Sequence, residues 1–421
     1  MSIAKRLEGR IYYGWVIVGT LALTETVSWG ILFYMFSVFL VPMRDELGWS
    51  DATLTGAYSL GLLVSGFAAP FVGRWIDRRG PRWLMTGGSL LGVALVLAWS
   101  RVGSELGWYL IWVGMGLAMA ATLYDPAFTA VAAWFERDRA KAFLLVTIAA
   151  GFASTIFLPL AAWLERVQGW QSTLVTLAGI LFVLTVLPHA IFLRRRPEDL
   201  GLSLDGRMRD SSPSVTSAAA APGAELREVL RDSAFWWLAL GFALGTLSTV
   251  AVALYLIAFL TDRGDSAEFA AFATGLIGAA QVGARILATL VGNRVSHVTL
   301  AAIVFGVQAL AVAILLEWEG TAGVLVAVLI LGMGRGVMTL SRPAVLIDFY
   351  GRRNFGAING SFAFTQNIAR ALAPVTAGLA FGVFGGYRPV FWGLGATALV
   401  AAALILGAGR QAERSRGAYL R

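Results

Sequence analysis

What most constrains this chain is the spacing of its charges: apolar stretches of about 20 residues recur, each closed by a short charged or Gly/Pro-containing interruption. Twelve such stretches can be marked, at 12–40, 51–73, 83–100, 108–132, 142–164, 172–193, 233–260, 269–292, 299–316, 321–347, 357–384 and 389–408. A helix needs about 20 apolar residues to cross the hydrocarbon of a bilayer. Membrane strands would instead give segments of about ten alternating residues, which excludes a β-barrel. Composition agrees, with 58% hydrophobic and 14% charged residues, where soluble domains carry roughly 45–50% and 25%. The expected fold class is an all-α polytopic membrane protein with twelve transmembrane helices.

The basic residues orient it. With a cytoplasmic N-terminus, the loops on that side and the two termini hold 24 Lys and Arg, and the opposite loops hold five: Arg44, Arg101, Arg166, Arg263 and Arg388. Cytoplasmic loops collect positive charge, so both termini are expected in the cytoplasm and the protein in the inner (plasma) membrane. The net charge of +8 is then mostly this bias and needs no nucleic-acid partner. No cysteine is present and there are two histidines, so neither a disulfide framework nor a metal site is expected, and no cofactor. Both His189 and His297 read as interfacial or loop residues. The N-terminal "MSIAKRLEGR" is basic, but the following run is too long for a cleavable signal and carries Glu25.

The chain divides into 1–193, a bundle of six helices; 194–232, a polar linker rich in Ser, Ala, Pro and charge; and 233–421, a second six-helix bundle with a short tail. A short amphipathic helix is expected in the linker at "AELREVLRD". The halves echo one another. "WFERDRAKAF" at 134–143 and "FYGRRNFGAI" at 349–358 stand 215 residues apart, and the loops opening at Gly73 and Gly292 stand 219 apart. Nearly equal offsets point to a duplicated unit, as in many secondary transporters.

The loop "GRWIDRRGPR", Gly73 to Arg82, carries Gly73, Asp77, Arg78, Gly80 and Arg82 in the pattern Gly-x-x-x-Asp-Arg-x-Gly-x-Arg. Gly73 allows a close helix approach, Asp77 can face the positive end of a helix, and the arginines can pair with carboxylates or lipid phosphates. The loop resembles the signature between helices 2 and 3 of the major facilitator superfamily. With the two-half layout, the resemblance spans the whole chain and implies two pseudo-symmetric six-helix bundles. It also implies that the loop is a latch closing the cytoplasmic side, with Asp77 meeting the start of helix 11 near 354–357. "YYGWVIVG", "WFERDRAKA", "YGRRNFGAINGS" and "QVGAR" further resemble the monocarboxylate transporter branch. That branch has an acid four residues before the helix 8 arginine. Gln281 stands there, before Arg285, so no proton role transfers to it.

Ionisable side chains in a membrane are costly and tend to mark a cavity, a partner or a proton path. Glu25 and Asp125 fall in the first half, and Arg285, Arg335, Arg342 and Arg370 in the second. Under the resemblance, helices 1, 4, 7 and 10 line a central cavity, which brings Glu25 and Arg335 to it at mid-membrane depth. Arginine stays charged and offers two parallel donors to a carboxylate. Arg335, Arg285 and Arg370 are therefore candidate substrate-binding residues, with Tyr34, Tyr255 and Gln281 as polar handles beside Tyr124. Glu25 and Asp125 are the proton-coupling candidates. Structural pairing, including Asp125 with Arg342, is the competing explanation for these charges, and ordinary packing is the competing one for the tyrosines and for the glycines of "GMGRG" around Arg335.

No catalytic constellation is visible, and "GMGRG" lies inside an apolar span with no strand before it, so an enzyme is not expected. The expected function is secondary active transport of a small organic anion, foremost a monocarboxylate, by alternating access and coupled to protons. Partners are the substrate, the bilayer and protons, in a monomer. The rival is proton-driven drug efflux, against which Gly151 and Pro159 stand too far apart in the fifth segment to form the Gly-Pro motif of such exporters. A transport-inactive membrane sensor is the alternative of another class.

Overall fold

The computed structural model of the chain describes residues 12–206, 223–291 and 295–419. The N-terminal basic segment, the central part of the linker and the start of the loop that opens at Gly292 lie outside the described residues.

In a hydrocarbon solvent each backbone N–H and C=O must be satisfied within the segment, which is why apolar sequence of this length becomes helix. Ten helical stretches among the described residues are long and apolar enough to cross a membrane. One of them, Arg139–Phe192, has 54 residues and breaks at Gly169, whose φ is 76°. It holds two crossings, since one needs only about 20 residues. A further helix carries the shorter apolar stretch Phe272–Leu287, which completes twelve.

The chain forms two compact units. The first comprises residues up to 223 together with 351–364. Its helices are α1 (Tyr13–Ser28), α2 (Phe36–Leu47), α3 (Asp51–Arg79), α4 (Pro81–Trp99), α5 (Glu105–Thr122), α6 (Tyr124–Trp134), α7 (Arg139–Gly151), α8 (Ala153–Leu181) and α9 (Leu187–Phe192). Two π-helical segments interrupt the regular winding, Trp29–Tyr34 between α1 and α2 and Phe182–Val186 before α9. The expected fourth segment, 108–132, is likewise split at Leu123, which is extended (ψ −164°) between α5 and α6. Ser50 and Ser104 cap α3 and α5 through their hydroxyls, and Pro81 starts α4 where its missing N–H costs nothing.

The core of this unit is aromatic. Trp99, Trp108 and Trp112 are fully buried with ring centroids 5.2–5.6 Å apart. Phe36 and Phe39 pack against them. The Trp99 and Trp108 indoles donate to Met43 Sδ and to the Leu54 carbonyl.

The second unit comprises 224–350 and 365–421. It contains α10 (Leu226–Val229), α11 (Ser233–Asp262), α12 (Ala267–Val291), α13 (His297–Glu317), α14 (Thr321–Tyr350), the later part of α15 (Phe355–Phe384) and α16 (Tyr387–Tyr419). The short linker helix is α10, closed by a capping box between Glu225 and Glu228. One core cluster here is mostly Ala, Val and Leu with Phe259 and Phe391, and Phe235, Phe242 and Phe305 are buried elsewhere in the unit. Many large apolar side chains point outward in both units, such as Phe67 and Phe71 on α3 and Leu240 and Leu254 on α11. Lipid tails are as apolar as these side chains, so leaving them outside costs nothing in a bilayer.

Of the two histidines expected at an interface or in a loop, His189 is not there, and His297 stands at a helix start, partly exposed. His189 is fully buried, its Nδ1 3.0 Å from Ser89 Oγ on α4. Ser89 supplies the partner a buried polar group requires. His297, at the start of α13, lies 2.6 Å from the Asp348 carboxylate.

Candidate functional site

The Gly80 end of the first unit holds the densest polar network. The Asp77 carboxylate, in the last turn of α3, accepts from the backbone amides of Gly356 (2.9 Å) and Ala357 (2.8 Å). These amides belong to the first turn of α15, where helix N–H groups have no intrahelical acceptor and the helix dipole favours an anion. The approach is possible because both crossing points are glycine. A methyl group on Gly73 would overlap the Gly356 carbonyl, and one on Gly360 would overlap that of Ala69. Gly80 (φ 80°) makes the turn, with Arg195 packed where a side chain would go.

The basic residues of this loop divide their work. Arg82 donates through Nε to the Ala190 carbonyl at 2.7 Å, tying α4 to the end of α9, and its guanidinium lies over Trp83. Arg195 donates to the Asp77 carbonyl. Arg78 is exposed. One turn deeper, Asp125 Oδ1 on α6 accepts from Asn359 Nδ2 on α15 at 3.1 Å. Asp125 is thereby placed with the α15 start as well as near Glu25.

Glu25 is fully buried near the end of α1. Its Oε2 accepts from the Trp29 indole (3.1 Å), and its Oε1 has no hydrogen-bond partner among the described residues. The π segment that follows gathers Trp29, Phe33 and Tyr34, and Trp29 also meets Tyr124 with ring centroids 4.9 Å apart. Tyr124 stacks on Phe128. Thus an interruption in α1–α2 and one in α5–α6 adjoin the buried carboxyl group. Helix interruptions of this kind recur at functional sites.

In the second unit Arg285 on α12 is 5% exposed, whereas Arg335 and Arg342 on α14 are half-buried. The glycines beside Arg335 bring α14 onto its neighbours: a methyl on Gly332 would lie 2.6 Å from the Ile277 carbonyl, one on Gly336 would overlap that of Gln281, and one on Gly334 would overlap the Gln308 amide. Gln281 therefore offers its backbone to the α14 contact and keeps its side chain half-exposed. Tyr255 donates its hydroxyl to the Pro374 carbonyl at 3.0 Å. Gln366 is buried against the Thr246 hydroxyl, while Arg370, one turn later, is exposed and donates to Asn367.

The residues that sequence reasoning missed here are Asn359, Trp29 and Asp205. A buried Asn just after a helix start and a Trp four residues after a membrane Glu are signals that could have flagged the first two. Asp205 carries none, because its acceptor role depends on a loop 67–69 residues away.

The profile described as the Major Facilitator Superfamily matches residues 26–374. The chain belongs to this superfamily. Among curated relatives of this superfamily member, the MFS transporter asaE of Aspergillus flavus is 24% identical over 372 residues, 86% of this chain and 79% of the relative. An MFS-type transporter of Aspergillus fumigatus is 23% identical over 301 residues, 70% and 68% of the two chains. Solved structures share the fold at 14–15% identity. A bacterial homologue of the iron transporter ferroportin, outward-facing, gives a TM-score of 0.72 over 95% of this chain and all of that one. The FucP transporter in its outward conformation gives 0.71 over 94% and 99%. The protein is a multi-pass membrane transporter of the secondary kind, not an enzyme.

Proposed function

We propose that this superfamily member moves a small organic anion, foremost a monocarboxylate, together with protons by alternating access. The observation that carries this reading is the segregation of ionisable groups within the spans: Glu25 and Asp125 in the first unit, Arg285, Arg335, Arg342 and Arg370 in the second. Planar guanidinium groups that stay charged suit a carboxylate substrate. Arg335, Arg285 and Arg370 attract the anion, with Tyr34, Tyr255 and Gln281 as polar handles. Glu25, with one carboxylate oxygen already on Trp29, is the proton-carrying group. Asp125 shares that role with a second one, holding Asn359.

The loop of Gly73, Asp77, Arg78, Gly80 and Arg82 acts as the latch of the cytoplasmic gate. The termini lie in the cytoplasm, the membrane is the inner (plasma) membrane and the working form is a monomer. In proteoliposomes, a labelled monocarboxylate panel should show uptake stimulated by an inward proton gradient, and Arg335→Gln should abolish it while the protein remains folded. Unchanged rate and affinity in that variant would remove Arg335 from the site.

One observation favours a second reading. Glu25 with Trp29, Phe33 and Tyr124 joins a carboxylate to aromatic faces, a combination that also suits an organic cation. Silence across the anion panel, with proton-driven export of a lipophilic cation, would favour efflux.

A further inference from the structure

The first described stretch of the linker, 194–206, stays with the first unit after α9. Tyr13 donates to the Phe192 carbonyl, Trp134 to that of Arg194 and Arg195 to that of Asp77, so residues 192–195 are fastened to three helices. The chain then turns through Pro197–Leu200 and Leu204–Gly206. Asp205, at φ 56°, is the one non-glycine residue with positive φ among the described residues. An L-residue adopts this conformation at a cost, which surrounding interactions must offset.

They do so through its carboxylate. Asp205 accepts from the amides of Glu136 (3.1 Å), Arg137 (2.9 Å) and Asp138 (3.4 Å), three consecutive donors in the loop that leads into α7. Three oriented backbone N–H groups thus converge on one carboxylate, each a charge-assisted hydrogen bond. Tyr12 closes the cluster by donating to the Trp134 carbonyl; burial, and after it the Asp205 charge, push its phenol up, so it remains a donor.

The loop held in this way also bears a contact to the start of α15. Glu136 Oε1 lies 3.5 Å from Arg352 Nη2. Arg352 stands four and five residues before Gly356 and Ala357, whose amides Asp77 holds. Linker, loop and helix start are joined in series.

We propose that Asp205 is a positioning residue of the transport cycle: by fixing the amides of 136–138 it presents Glu136 to Arg352 and so stiffens the α15 start on which Asp77 closes. The linker is then a brace whose docking sets how readily that start lets go. This inference does not depend on the sign of the substrate.

Hydrogen exchange of the full chain in lipid nanodiscs, read by mass spectrometry, tests it without a substrate. Asp205→Ala should raise exchange of the 136–138 amides about ten-fold, as expected for loss of bonds to a charged acceptor. It should raise that of 355–358 roughly three-fold, the scale of one partly exposed ion pair. Asp205→Asn, which keeps an acceptor without the charge, should fall between wild type and Asp205→Ala at both sites. Freed 136–138 amides with 355–358 unchanged would overturn the proposal. Should Asp205→Ala fail to fold, Glu136→Gln isolates the second link: faster exchange at 355–358 with 136–138 unaltered supports it, and no change at 355–358 overturns it.

Discussion

The two units meet the same task, six crossings in lipid, with different packing. The fully buried tryptophans among the described residues, Trp99, Trp108, Trp112 and Trp134, all lie in the first unit. There, rings interlock at fixed angles, Asp77, Arg82, Arg195 and Asp205 bind backbone atoms, and Glu25, Ser89 and His189 are buried among the helices. The second unit has a core cluster of mostly Ala, Val and Leu, backbone crossings at Gly332 and Gly336 as the first has at Gly73 and Gly360, and buried polar side chains such as Arg285, Gln308 and Gln366. Aromatic cores specify one geometry through many contacts, whereas small-residue crossings rest on backbone proximity. The contrast is thus one of filling: buried tryptophans in the first unit, a cluster of Ala, Val and Leu in the second, with close glycine crossings in both.

Three substitutions would break or sharpen this contrast. Trp112→Ala removes the centre of the aromatic cluster and leaves a cavity; a loss of about 3–5 kcal/mol is expected, read as a large fall in thermal midpoint in detergent. A midpoint close to wild type would show that the rings do not frame the first unit. Gly336→Ala works in the opposite sense, adding a methyl where the Gln281 carbonyl already sits. Overpacking of this kind costs about 1–3 kcal/mol, and a neutral result would mean that α12 and α14 can part freely. Smallest in stability is Arg370→Gln, since Arg370 is exposed. Its midpoint should stay within about 0.5 kcal/mol of wild type, while anion uptake falls; a large midpoint shift would assign Arg370 a structural role instead.

Much of the fold was legible because a bilayer imposes a length. The twelve apolar stretches follow from that rule, and the segment expected at 299–316 extends in α13 to His297–Glu317, capped by Ser296. The interruptions inside spans were not legible. Nothing in "VSWGILFYM" distinguishes a π segment from regular helix, nor shows that the Phe157 ring lies where a methyl on Gly30 would go. The same holds for the break at Leu123 and for His189, which has an ordinary apolar context in sequence and a buried Ser89 partner in space.

The candidate site divides along a similar line. Asp77 was readable because its loop carries a spaced pattern of charges and glycines. Asn359 and Asp205 were not, since their partners, Asp125 and the amides of 136–138, lie 234 and 67–69 residues away.

By itself the sequence determined the solvent this chain lives in, the number of its crossings and which crossings carry charge, because transfer of apolar and ionised groups into hydrocarbon depends on local composition alone. The tertiary structure decided which charges are engaged and by what: that Asp77 holds amides of α15, that Arg285 is buried while Arg370 is exposed, and that a linker aspartate fastens a distant loop. Hydrogen bonds and close backbone crossings need partners within about 3 Å, and only the folded chain brings residues so far apart in sequence to that distance.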